Sequence, residues 1–96
     1  MDPQQPQQVQ IRAENNDIKG HYSNIAQIFH TKEEVIIDFL LQAPSGVSLI
    51  SRIIMSPGHV KRLASALNTN IGQYEKQFGE IQEAEQPNKT EIGFTS

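Results

Sequence analysis

The stretch Ser51-Arg52-Ile53-Ile54-Met55-Ser56-Pro57-Gly58-His59-Val60-Lys61-Arg62-Leu63 contains the point where one kind of structure gives way to another. Up to Met55 the chain alternates. Val47, Leu49, Ser51, Ile53 and Met55 fall on one face, and Ser48, Ile50, Arg52 and Ile54 on the other. A period of two is the mark of a strand. At Ser56 the period changes. Serine is a favoured N-cap, and Pro57 suits the first helical position, where its missing N–H leaves no hydrogen bond unmade. Apolar residues then recur at Val60, Leu63, Leu67, Ile71, Tyr74, Phe78 and Ile81, in steps of three and four that lay one stripe along a helix. Gly79 is a natural stop.

Working towards the N-terminus, Ala43-Pro44-Ser45-Gly46 is a turn, and residues 34–42 form the clearest strand. Val35, Ile37, Phe39 and Leu41 share one of its faces; Ile36, Asp38 and Leu40 share the other. Residues 21–29 read as a further strand, joined by the short polar His30-Thr31-Lys32-Glu33. Residues 14–20 are turn-rich. Before them, Val9, Ile11 and Ala13 alternate with polar neighbours and predict a fourth strand. The expected fold is therefore α+β: a four-stranded antiparallel sheet followed by one long C-terminal helix packed on one face.

The 96 residues allow one small domain, placed at 9–81. Residues 1–8 are nearly all Pro and Gln, and 82–96 are acidic and polar. Both lack the apolar area to offset chain entropy and are expected to be disordered tails. The net charge of −3 resides in those tails, because residues 9–81 carry seven acids and seven bases. A strongly basic nucleic-acid binder is not indicated. Cysteine is absent, so disulfides and thiolate metal sites are excluded. No apolar run approaches a membrane span, and no secretion signal precedes the domain, so a cytoplasmic location without membrane contact is expected.

One helix covers one face of a sheet, yet the two best strands are apolar on both. Ile36, Leu40, Ile50 and Ile54 are the candidate interface set, with the opposite set the alternative, and burying the face that the helix leaves bare predicts a homodimer, or a larger even assembly, through the sheet.

The residues Gly20-x-Tyr22-Ser23-Asn24, His30-Thr31-x-x-Glu34, Asp38-Phe39, the stretch quoted at the outset, and Ala66-Leu67, Asn70-Ile71, Tyr74-Glu75 and Phe78-Gly79 resemble the prokaryotic domain-of-unknown-function family 3467. One departure is Val35, where the family pattern expects an aromatic residue. The resemblance implies a small cytoplasmic prokaryotic protein and no particular reaction.

Chemistry-bearing groups are few. Ser56, Gly58 and His59 at the helix start, with Lys61, Arg62 and Arg52, form a candidate anion site, since helix N-termini present free N–H groups. The simpler alternative is that these cations pair with acids such as Asp38 or are solvated. His21, His30 and His59 are too scattered to predict a metal centre. Glu34 and Asp38 share a strand side, and a salt bridge to Arg52 explains them more simply than catalysis does. Tyr22 is read as a core residue with a hydrogen-bonded hydroxyl, in preference to a base-stacking surface. No nucleophile elbow, Walker motif or dinucleotide fingerprint is present, so neither an enzyme nor a cofactor is expected.

The functional expectation is a non-enzymatic, homo-oligomeric interaction or scaffold protein with a protein partner. Two alternatives stand beside it. One is a single-stranded nucleic-acid binder using the basic helix start, on the analogy of the Pur-alpha and coactivator folds with the same element order. The other is a chaperone-like holder of apolar segments.

Overall fold

A computed structural model describes residues 8–84. In chain order these form a short helix α1 (Asn15–Lys19), three strands β1 (Ile25–His30), β2 (Val35–Ala43) and β3 (Gly46–Met55), and a long helix α2 (Pro57–Phe78). The strands make one antiparallel sheet in the order β1-β2-β3. The architecture is thus α+β with an antiparallel sheet and a C-terminal helix, as expected, but the sheet has three strands and not four. The expected tails, apart from residue 8 and residues 82–84, lie outside the described residues.

The missing strand has a plain cause. Alternation marks a strand only where a neighbour completes its hydrogen bonds, and residues 9–13 have none; Val9 and Ile11 both face water. The segment runs instead into α1, where the Asp17 carboxylate accepts the Glu14 N–H at 3.0 Å and holds a single helical turn. With the fourth strand absent, the analogy to four-stranded nucleic-acid-binding folds no longer applies.

The start of β1 also differs. Residues 21–24 are not strand, because side chains take over the ladder there. Asn24 Nδ2 donates to the Gln42 carbonyl at 3.0 Å and Asn24 Oδ1 accepts the Gln42 N–H at 2.8 Å. A carboxamide thereby reproduces the paired bonds of an antiparallel neighbour. Ser23 Oγ donates to the Leu40 carbonyl at 2.7 Å beside it. The β1–β2 connection is closed by Thr31, whose Oγ1 accepts the N–H groups of Glu33 (3.2 Å) and Glu34 (3.1 Å).

Register fixes the two sheet faces. Ile28, Ile37 and Ile53 lie side by side across the three strands, as do Ala26, Phe39 and Ser51. This face carries no Asp, Glu, Lys or Arg side chain, and His30 stands at its edge. On the opposite face Gln27, Asp38 and Arg52 form one row, and Phe29, Ile36 and Ile54 another. A β-bulge at Phe39/Leu40 sets Leu49, and not Ile50, opposite Leu40. Simple alternation therefore fails along β3: Val47 and Leu49 join the face of Arg52 and Ile54, whereas the sequence pattern assigned them to the face of Ile53.

The expected packing of the helix on the sheet is not observed. No residue of α2 is buried, and among the described residues the extensive contacts between elements are β1 with β2 and β2 with β3. Leu67, Ile71, Tyr74 and Phe78 are between 44% and 66% exposed. The junction accounts for this. Ser56 alone separates β3 from α2, and it is extended at φ −69°, ψ 154°. A strand ordinarily needs about 2–6 residues to turn into a helix that lies back on its own sheet. Proline at the next position further restricts Ser56 to the extended region.

The β2–β3 hairpin turns on Pro44 and Ser45, with Ala43 paired to Gly46. Proline excludes the primed hairpin turns, and among the described residues only glycines have positive φ. Gly46 at φ 128° absorbs the mismatch between an unprimed turn and the strand twist. A Cβ there meets no atom within 4 Å, so the cost of Gly46→Ala is purely conformational. Chemical denaturation should show this variant destabilised by about 1–2 kcal/mol; an unchanged midpoint would contradict the strained turn.

Candidate functional site

The only buried charged side chain among the described residues is Asp38, at the centre of the middle strand and 0% exposed. The register sets it opposite Arg52 of β3. Arg52 Nε donates to Asp38 Oδ1 at 2.6 Å and Nη2 donates to Oδ2 at 2.8 Å. Both bonds are short and parallel, the arrangement in which a guanidinium matches a carboxylate best. The Arg52 side chain remains 48% exposed. The pair is therefore one buried anion held by a cation that keeps contact with water. Hydrogen bonding to Arg52 is the main cause of the lowered Asp38 pKa; desolvation opposes it and the arginine charge adds to it. Arg52 is raised for the reciprocal reason.

This pair decides how the candidate anion site reads. Of its residues, Arg52 is engaged with Asp38 across the sheet. Ser56 serves as the helix cap, its Oγ accepting the His59 N–H at 3.2 Å. Arg62 Nη2 donates to His59 Nδ1 at 3.3 Å, one helical turn back. Gly58, His59, Lys61 and Arg62 are all exposed along the first two turns of α2. The anticipated pairing of Asp38 with a cation is present, and the cation is Arg52 rather than Lys61 or Arg62.

The four residues singled out as an interface occupy one face only in part. Ile36 and Ile54 are register partners, with Ile54 strongly exposed. Leu40 is 1% exposed, already part of the protomer's small core with Ile25 and Ile37. Ile50 is the extra residue of the bulge and is half-buried. Tyr22, expected in the core, is 74% exposed. It borders an open depression shared with His21, Ser23, Asn24, Ile25, Ala26 and Phe39. The rim of this depression runs into the uncharged sheet face through Ala26 and Phe39.

No group of three or more His, Asp or Glu that could hold a metal occurs among the described residues. No helix among them is long and apolar enough to cross a membrane. The Asn24 clasp on Gln42 escaped the sequence reading; a Ser-Asn pair immediately before an apolar run is its one signal, since both side chains bond readily to nearby backbone.

The motifs that distinguish this chain therefore have structural roles: Ser23 and Asn24 open the sheet, Thr31 closes a hairpin, Asp38 and Arg52 lock the centre, and Ser56 with Pro57 starts the helix. The chain belongs to the family described as "Protein of unknown function (DUF3467)", which matches residues 1–83. No curated protein and no solved structure matches it.

The ion pair makes an asymmetric prediction. Arg52→Met strands a fully buried carboxylate, whereas Asp38→Asn leaves a half-exposed guanidinium with water around it, so the arginine variant should melt lower. The pH dependence follows from the direction of the shift. The folded pKa of Asp38 lies below its unfolded value of 3.8, so the stabilisation is complete above that value and is lost as pH falls through the folded pKa. Thermal melts should show a constant gap between wild type and Asp38→Asn from about pH 5 to about pH 8, narrowing below about pH 4. A gap that widened in acid would contradict the assignment.

Proposed function

We propose that the protein is a non-enzymatic interaction scaffold of the cytoplasm whose working form is a homodimer. The observation that carries this reading is the apolar stripe of α2, none of whose residues is buried within its own protomer. An amphipathic helix owes most of its stability to the burial of that face. The 22 residues of α2, none of them buried, and a sheet face with exposed Ile28 and Ile53 leave apolar surface on two elements at once. Self-association removes both from water. The near-neutral charge of residues 9–81 supports it, since two copies of this region meet without net repulsion.

Nucleic-acid binding is the less favoured reading, because Arg52 is committed to Asp38 and the helix start is left with Lys61 and Arg62. Light-scattering mass, measured at low and high salt with and without a single-stranded oligonucleotide, separates the two. The expected result is twice the chain mass of 10.8 kDa, unchanged by oligonucleotide. A monomer at every concentration would overturn the scaffold reading. An oligonucleotide-dependent shift that vanishes in high salt would replace it with phosphate recognition.

A further inference from the structure

We infer that the dimer forms by reciprocal exchange of α2, the helix of each copy lying along the uncharged sheet face of the other. This rests on the self-association just proposed and adds which surfaces meet. Three observations point the same way. First, Ser56 is the whole connection between β3 and α2, too short to bring the helix back over its own strands. Short, restricted hinges of this kind favour exchange between copies. Second, the dimensions agree. A helix of this length runs about 33 Å, and a ten-residue strand such as β3 runs about 33 Å.

Third, the chemistry selects the face. Covering the face of Asp38 and Arg52 would desolvate a guanidinium that is still half in water, which is costly. The opposite face offers Ile28, Phe39, Ile53 and Met55, with no permanent charge among them, and ends in the depression beside Tyr22. The area is sufficient. About half of each large side chain, on the order of 100 Å², remains in water at Leu67, Ile71, Tyr74 and Phe78 on the helix and at Ile28 and Ile53 on the sheet. With the half-buried Val60, Leu63, Phe39 and Met55, each copy offers on the order of 800 Å², what one partner contributes to a standard stable interface. Pairing the two helices with each other would cover the stripes and leave both sheets bare.

The test lengthens the hinge. Four residues, Gly-Ser-Gly-Ser, inserted between Met55 and Ser56 preserve the cap and Pro57 while freeing α2 to fold back on its own sheet. Exchange predicts that the full-length wild type is a dimer by light scattering and that the insertion variant is a folded monomer with the same helical content by circular dichroism. A wild-type dimer whose insertion variant is still a folded dimer overturns exchange and leaves self-association standing. A monomeric wild type overturns both. Should the insertion variant fail to fold, mixing decides. Leu67→Asp damages the helix surface and Ile53→Glu the sheet surface, and a mixed dimer keeps one undamaged helix-on-sheet contact that neither homodimer has. Recovery of dimer on mixing, at least several-fold above either variant alone, supports exchange; no recovery overturns it.

Discussion

Everything distinctive about this molecule depends on a junction one residue long. β3 ends at Met55, α2 begins at Pro57, and Ser56 between them is simultaneously connector and cap. The cap requirement and the proline fix its backbone in the extended region, so the chain has no slack with which to reverse. A helix made to cover a sheet is thereby held off the sheet to which it is attached. The apolar stripe, the bare sheet face and the small protomer core are consequences of that one constraint. Only Ile25, Ile37 and Leu40 form a buried apolar set among the described residues, little for a folded unit of this size.

Against that thin core, the sheet is held together by specific polar contacts. Asp38 and Arg52 link β2 to β3 at mid-strand, and Asn24 extends the β1–β2 ladder past the end of β1. The ion pair specifies register as much as it stabilises. A slip of one residue would turn Asp38 to the uncharged face, away from its guanidinium, and leave a carboxylate in the place of Ile37 between Ile28 and Ile53. A sheet with both faces apolar cannot fix register by hydrophobic pattern alone, so a charged pair at its centre removes the ambiguity.

The elements with strong local signals were legible in the sequence. Ser56-Pro57 and the stripe from Val60 fixed the start of α2, and alternation with the Pro44-Ser45-Gly46 turn fixed β2 and β3 to within a residue. What failed was everything that depends on partners. Val9, Ile11 and Ala13 alternate as well as any short strand but have nothing to pair with. The bulge at Phe39/Leu40 moved Leu49 to the other face, and no local pattern announces a bulge. The helix stripe was legible, but its destination was not, because a hydrophobic period states that a face needs burial and not which surface buries it. Among the candidate site residues, the Asp38–Arg52 bridge was foreseeable from charge and strand position, whereas the exposure of Tyr22 was not.

The central claim is that the α2 stripe is buried in a second copy, and amide hydrogen exchange as a function of protein concentration reaches it most directly. The account predicts that the amides of α2 are protected in concentrated solution and lose that protection on dilution, in step with the fall in mass, because an amphipathic helix without its partner frays. Protection of α2 that is independent of concentration would contradict it.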